Sequence, residues 1–304
     1  MKAVVYKTYG SPEVLQLKDV PKPIVRPNEV LVKVIATSVT AGDVRLRASN
    51  FPPLVWLPAR IIFGLFRPKK QILGHEFSGI IVDAGLKVSK FKIGDAVFGT
   101  TSMLKTGAYA EFIALPEFWK QGALALKPTN VGFKQAAVLP IGAMTALYLL
   151  KKAETYKGKR VLIYGASGSV GSYAVQIAKF LGAEVTGVCS SRNIEMVTTL
   201  GADAVIDYTN EDFTKTDKAF DIVFDTVGKI SKAEAKTVLF KGGKYVTTKM
   251  LTKEGKASLE EVKRMVENQA IRPFIDKNYP LEDIQKAHAY VDTSRKRGNI
   301  SIII

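Results

Sequence analysis

The sequence predicts an α/β chain in two parts, a smaller mostly β domain followed by a doubly wound parallel sheet. Three observations carry this. The first 120 or so residues are short β-branched runs punctuated by Gly and Pro. From about residue 130, compact apolar strands alternate with amphipathic helices. And 304 residues exceed what one hydrophobic core comfortably serves. The expected boundaries are 1–123 for the β domain, 124–271 for the βα domain, and 272–304 for a C-terminal segment that returns to the first.

Taken in order, residues 30–36 (VLVKVIA) and 79–83 (GIIVD) are β-branched runs bounded by turn residues, and 92–99 adds a Gly-Asp turn leading into a strand. The only long helix expected in this half lies within 54–66. Residues 134–151 have a helical period that Pro140 and Gly142 break near the middle. Residues 160–164 (RVLIY) are a continuous apolar run, the kind buried on both faces of a parallel sheet. Residues 168–181 carry Val170, Ala174, Ile177, Ala178 and Leu181 on one helical stripe. Strands at 184–188, 204–206, 221–225 and 244–247 follow, with a helix near 192–200 and another starting near Ser258. Such βα repeats call for a parallel sheet with right-handed crossovers. Residues 299–304 supply the last strand.

Composition narrows the classes. Hydrophobic residues at 47% and charged residues at 24% are ordinary for a folded protein and exclude disorder. One cysteine, Cys189, allows neither an internal disulfide nor a cysteine metal cluster, which suits a reducing compartment such as the cytoplasm. The N-terminus has no signal-peptide pattern. The most lipid-like stretch, 51–66, holds three prolines and Arg60 and is shorter than the ~20 residues a spanning helix needs. A buried lid or pocket wall is its expected role. A membrane-surface patch is the alternative, because Arg67, Lys69 and Lys70 follow it. The net charge of +16 favours polyanions in general. Its scattered distribution lacks the basic–aromatic pattern of an RNA-binding sheet, so no nucleic-acid partner is expected.

The most informative segment is 165–171, GASGSVG, between a buried strand and an amphipathic helix. There, glycines allow a tight turn, close backbone approach to a pyrophosphate and close packing of helix on strand. The helix N-terminus offers N–H groups and partial positive charge to phosphate. The spacing Gly-x-x-Gly-x-x-Gly departs from the usual Gly-x-Gly-x-x-Gly, so the phosphate contacts are expected to be rearranged. An NAD site usually ends the next strand on Asp or Glu, to hold the adenosine ribose. Here that strand runs into Cys189, Ser190, Ser191 and Arg192. Two hydroxyls and a guanidinium suit a 2′-phosphate, and the expected cofactor is NADPH.

These features together resemble the medium-chain dehydrogenase/reductase superfamily, specifically its zinc-free quinone oxidoreductase branch, the zeta-crystallin-like proteins. The resemblance runs through most of the chain: MKAVVY at 1–6, GHE at 74–76, GAYAE at 107–111, the glycine loop, GAD at 201–203 and DTVG at 225–228. It implies a GroES-like β domain, a Rossmann domain and a cleft active site. It also implies that Ser167, Gly168, Ser169 and Val170 touch the pyrophosphate, with Gly165 in the same cofactor site. Ser190, Arg192 and Tyr208 would surround the 2′-phosphate, and Val227 and Gly228 would approach the nicotinamide. Zinc-dependent relatives carry a cysteine three positions before an aspartate; here Thr40 precedes Asp43. His75-Glu76 matches their second ligand motif, but the remaining cysteine ligand and the four-cysteine structural loop are missing. The expected metal content is therefore none. The chain is some tens of residues shorter than relatives between Thr247 and Ser258, where the family places its last Rossmann strand and a dimer contact. That departure puts in question the homodimer the resemblance implies.

The chemistry implied is hydride transfer from NADPH to a quinone or an α,β-unsaturated carbonyl, with hydrogen-bond donors stabilising the developing oxygen. Thr40, Tyr109 and Thr145 are the candidate hydroxyls, and Asp43 is a candidate orienting group. The alternative is an NADPH-binding protein with little turnover that recognises RNA or a membrane partner.

Overall fold

The strand that opens the main sheet of the first part buries Val30, Leu31, Val32 and Val34 and leaves Lys33 exposed. The computed structural model describes residues 1–101, 107–120, 122–217, 219–253 and 255–304. In chain order come β1 (Lys2–Val5), β2 (Gln16–Asp19), β3 (Glu29–Ser38), α1 (Ala41–Ala48) and α2 (Pro53–Phe63). Then follow β4 (Glu76–Ala84), β5 (Ala96–Thr100), β6 (Phe112–Pro116), β7 (Leu124–Leu126) and α3 (Phe133–Ala136). The βα part comprises α4 (Pro140–Lys152), β8 (Arg160–Tyr164), α5 (Ser169–Phe180), β9 (Glu184–Cys189), α6 (Ile194–Thr199) and β10 (Ala204–Asp207). It continues through β11 (Phe220–Asp225), α7 (Lys232–Thr237), β12 (Leu239–Thr247) and α8 (Lys256–Glu267). The chain ends on β13 (Ile275–Pro280), α9 (Ile284–Asp292) and β14 (Asn299–Ile303).

Two units result. One holds Met1–Pro140, Gly255–Glu260 and Ile275–Ile304; the other holds Ile141–Glu254 and Glu261–Phe274. In the first, a mixed sheet runs β13-β14-β3-β4-β5-β7, with β6 also paired to β3. The C-terminal β14 lies antiparallel to β3, Ser301 opposite Ser38, and parallel to β13. Its core gathers residues far apart in sequence: Val4, Tyr6, Leu46, Leu73, Tyr109, Ile284 and Ile302 share one cluster. This is the GroES-like part.

The second unit is a Rossmann-type sheet of five parallel strands in the order β10-β9-β8-β11-β12. Val161, Leu162 and Ile163 of β8 are all fully buried, as a central strand covered on both faces requires. From β8 the chain moves outward on one side through β9 and β10, then restarts on the other with β11. The C-terminal ends of β8 and β11 therefore form the switch point where such sheets bind ligands. The common six-stranded order carries one more strand beyond the position of β12. Among the described residues the sheet stops at β12, consistent with the short connection at 248–258, of which Glu254 lies outside the described residues.

The helical stretch at 134–151 does break at Pro140: the preceding residues form the separate α3, and Pro140 begins α4, where its missing N–H costs nothing. Other expectations change. Gly142 stays within α4 because α5 packs there: a Cβ would come within 2.8 Å of Ser169 Oγ and the Tyr173 ring. The apolar 51–66 segment is not a buried wall. Only Ala59 of α2 is buried, while Leu54, Val55, Leu57, Ile61 and Ile62 are exposed. Among the described residues no helix is long and apolar enough to cross a membrane.

Candidate functional site

In the second unit, the glycine loop leaves β8 through Gly165, whose φ of +80° is a left-handed conformation that suits glycine. The N–H groups of Gly165 and Ala166 both donate to Val188 O at 3.0 Å, binding the loop to β9. Gly168 caps α5 without any side-chain cap, and the first intrahelical bond runs from Ser172 N to Gly168 O at 2.8 Å. The helix therefore presents its leading N–H groups outward. The three glycines do different work. A Cβ on Gly171 would sit 2.1 Å from Gly165 O, so that glycine packs the helix on the loop. One on Gly165 would sit 2.3 Å from Val227 Cγ2. One on Gly168 would meet only Gly165 O, at an ordinary 3.4 Å. Gly168 thus faces open space, the cradle a pyrophosphate needs, with Ser167, Ser169 and Val170 half-exposed around it.

At the end of β9 the structure joins what the sequence separates. Asn193 Nδ2 donates to Ser167 Oγ at 3.0 Å and to Ser190 Oγ at 3.2 Å, tying the glycine loop to the second strand. Arg192 is exposed on the turn that follows. Tyr208 N donates to Cys189 O at 3.1 Å, which sets the exposed Tyr208 beside Ser190. Asp207, opposite Cys189 in the sheet, accepts from Ser191 Oγ at 2.6 Å and from Thr209 and Asn210. The Ser191 hydrogen bond, with those from Thr209 and Asn210, holds its carboxyl below the usual carboxylate range. Burial, reinforced by Asp207, pushes the Cys189 thiol up to about 11, so it is a protonated thiol at neutral pH.

Across the switch point, Asp225 Oδ1 accepts from Val227 N at 3.0 Å and Gly228 N at 2.7 Å, and Oδ2 accepts from Ile230 N at 3.2 Å. This carboxylate shapes the turn that carries Val227 and Gly228, with Gly228 at φ +77°. Sequence reasoning quoted Asp225 without this role; the signal was a carboxylate ending a strand three residues before a glycine. Thr145 is half-buried on α4 in the same unit.

In the first unit, Thr40, Asp43 and Tyr109 do come together, in a buried polar cluster. Asp43 forms a capping box with Thr40 at the start of α1. Its Oδ2 accepts from Thr40 N at 2.9 Å and from Thr40 Oγ1 at 2.6 Å. Its Oδ1 accepts from Gly74 N at 2.9 Å and from His75 Nδ1 at 2.7 Å. Burial opposes the charge of Asp43, but His75, Thr40 and His288 together hold its carboxyl well below the usual range. Arg47 Nη1 lies 3.4 Å from His288 Nδ1, and a guanidinium can only donate, so that nitrogen accepts. His288 Nε2 then carries the hydrogen and donates to Tyr109 Oη at 3.1 Å. Burial, with Asp43 and Glu76 nearby, pushes the Tyr109 phenol far above its ordinary value. Burial likewise depresses His288 to about 3, leaving it neutral. The Thr40 hydroxyl therefore spends its hydrogen on Asp43, and among the described residues His75 Nε2 is a buried polar atom with no partner. His288 escaped sequence reasoning, because nothing in its local sequence points to Tyr109, 179 positions away.

The alcohol dehydrogenase GroES-like domain family matches residues 26–155, and the zinc-binding dehydrogenase family matches residues 169–286. A 2-methylene-furan-3-one reductase of Solanum lycopersicum is 32% identical over 99% of this chain and 79% of its own length. The chain belongs to the medium-chain dehydrogenase/reductase superfamily, in its quinone oxidoreductase branch. An Arabidopsis thaliana chloroplastic protein named as an NADPH-dependent alkenal/one oxidoreductase is 30% identical over the same shares. The solved quinone oxidoreductase of Coxiella burnetii superposes with a TM-score of 0.85 at 28% identity, covering 100% of this chain and 99% of that one.

Membership in this superfamily raises two bound groups. A nicotinamide dinucleotide fits, because Gly168 leaves a cradle that a larger side chain would fill and α5 has no side-chain cap. Zinc does not fit the donor set. Among the described residues no group of three or more His, Cys, Asp or Glu side chains converges on a point, whereas a catalytic zinc takes three protein ligands. Among the described residues His75 Nε2 is left without a partner in the Asp43 cluster, and the Thr40 hydroxyl there is turned to Asp43.

Proposed function

We propose that this chain is a zinc-independent reductase that uses NADPH to reduce quinones or α,β-unsaturated carbonyls. The observation that carries the cofactor choice is the end of β9: Ser190 and Arg192 stand where an NAD site would present a carboxylate to the ribose, and Tyr208 lies beside them. The relatives named as alkenal/one and quinone oxidoreductases support the reaction class. When bound, NADPH supplies the hydride. Ser167, Ser169 and Val170 meet the pyrophosphate at the start of α5, Gly168 leaves the room for it, and Gly165 turns the loop that carries them. Ser190, Arg192 and Tyr208 hold the 2′-phosphate, while the Asp225-shaped turn presents Val227 and Gly228 to the nicotinamide.

On the acceptor side, Thr145 is the hydroxyl proposed to donate to the oxygen that gains negative charge, whereas the Thr40 hydroxyl is committed to Asp43. Asp43 positions Thr40 and His75 and is itself held ionised by them. Tyr109 is a positioning residue in this scheme, since its hydroxyl sits in the core between His288 and Asp43. The buried, single cysteine supports residence in a reducing compartment, the cytoplasm.

The test is oxidation of NADPH and of NADH by 1,4-quinones and simple enones, using metal-analysed protein with and without a chelator. The expected result is turnover that prefers NADPH and survives chelation. Turnover lost with metal, or faster with NADH, would overturn the respective half of the proposal.

A further inference from the structure

We propose that α2 and the turn after it form a face that docks on an anionic lipid bilayer. This inference is independent of the reductase reading. The face is unusually apolar and unusually open: Leu54 is 94% exposed, Phe66 88%, Ile61 58%, Leu57 54% and Ile62 51%. Scattered exposed apolar residues are normal, but a contiguous patch of them marks an interaction surface.

The outward orientation is enforced. Phe63 stacks on Phe51 with ring centroids 5.8 Å apart and planes at 7°. The Arg60 guanidinium lies 4.0 Å from the Tyr9 ring centroid and 5.4 Å from that of Trp56, and it donates to Ser49 Oγ at 3.1 Å. Tyr9 OH donates to Gly64 O at 2.8 Å, fixing the helix end. Ala59, Arg60 and Phe63 therefore lock one side of the helix to the body, and the opposite side cannot roll inward.

The partner is chosen by charge and by what the face lacks. Its exposed side chains, Leu54, Val55, Leu57, Ile61 and Ile62, offer no hydrogen-bonding group, which a bilayer does not require. No acidic residue occurs between Asp43 and Glu76, whereas Arg45, Arg67 and Lys69 there are exposed. Apolar side chains with a cationic margin suit the boundary between anionic headgroups and acyl chains. The 11 residues of α2 are too few to span a bilayer, so the helix lies in its plane.

The experiment is co-sedimentation of the full chain with phosphatidylcholine vesicles and with phosphatidylcholine–phosphatidylglycerol vesicles, at low and at physiological salt. Binding is expected to the anionic vesicles and to weaken with salt. Arg67→Ala and Lys69→Ala should each weaken it about fivefold. The combined variant Leu54→Gln, Ile61→Gln, Phe66→Gln changes no charge and touches only exposed positions, and it should lower binding by more than about tenfold. In a Trp119→Phe background, the remaining Trp56 emission should shift to the blue on anionic vesicles. Failure to bind either vesicle at low salt would overturn the proposal, as would binding that the triple Gln variant leaves intact. A dimer in the absence of vesicles that the triple variant dissociates would assign the face to a second copy instead.

Discussion

Replacing Gly168 by Asp separates a ligand glycine from a packing glycine. Gly168 has φ −78° and ψ 178°, extended backbone open to any residue, and its added Cβ would meet nothing nearer than 3.4 Å. Aspartate is among the best residues at a helix N-cap, and its charge faces the positive end of α5. Together these should raise stability by about 0.5–1 kcal/mol, or about 2 °C in melting temperature. The same carboxylate would oppose the pyrophosphate. At an effective dielectric of 20, two like charges roughly 6 Å apart repel by about 3 kcal/mol, a loss of roughly 100-fold in affinity. Gly171→Ala is the contrast. Its Cβ would stand 2.1 Å from Gly165 O and 2.8 Å from Ala166 Cα, all backbone, so helix and loop must separate. The ordinary helical gain of Ala over Gly is then outweighed by overpacking of about 1–3 kcal/mol. Thermal melts with and without NADPH and NADH, and calorimetric titration of each, read both quantities. The expected pattern is opposite signs for Gly168→Asp, stability up and both cofactors down, and equal signs for Gly171→Ala. Unchanged binding in Gly168→Asp would refute the cradle, and a melting loss like that of Gly171→Ala would make Gly168 a packing glycine.

Arg192→Ala should weaken NADPH about tenfold while leaving NADH nearly unchanged, the size of one charge-assisted hydrogen bond; equal losses by titration would remove its 2′-phosphate role. Asp43→Asn leaves His75, Thr40 and Gly74 donating to a neutral group that also carries N–H donors, and should cost about 3–5 kcal/mol at pH 7 in urea unfolding. Because the Asp43 carboxyl is depressed in the folded state, its contribution is complete above the unfolded value near 4 and fades only as pH falls below that. The gap between wild type and Asn should therefore persist at pH 5 and narrow beneath pH 4. His288 is a base depressed to about 3, so between that and its unfolded value near 6.5 the unfolded chain binds the extra proton. Its linkage lowers stability as pH falls, by at most about 1.4 kcal/mol per pH unit. His288→Gln keeps a hydrogen-bonding group there and should flatten the stability profile between pH 6.5 and 4.5; an unaltered slope would show that His288 does not set it.

Local chemistry made much of the second unit legible. The strand at 160–164 forms β8 as expected, its run Val161-Leu162-Ile163 fully buried because parallel strands are covered on both faces. The 165–171 loop could be read because Gly165 takes a left-handed backbone and Gly171 a close approach that suit glycine alone. Gly142 misled for the same reason in reverse: it stays inside α4 because α5 packs against it, a contact that no local pattern shows. In the first unit the candidates Thr40 and Asp43 were legible as a Thr-x-x-Asp cap. That Asp43 would also collect Gly74 and His75 was not, since these partners arrive from a segment some thirty residues on.

The sequence by itself determined the two-part α/β class, the glycine loop between its strand and helix, and the hydroxyl-and-arginine end of the following strand. Each is a pattern of neighbours, governed by period and backbone freedom that act over a few residues. Only the tertiary structure decided that Gly168 is open while Gly171 is filled, that Asn193 joins Ser167 to Ser190, and that His288 closes on Tyr109. It alone also turned the apolar side of α2 outward, through Arg60, Tyr9 and Phe51. Those outcomes depend on distances between segments far apart in the chain, and burial and directional hydrogen bonds set such distances only once the sheets have formed.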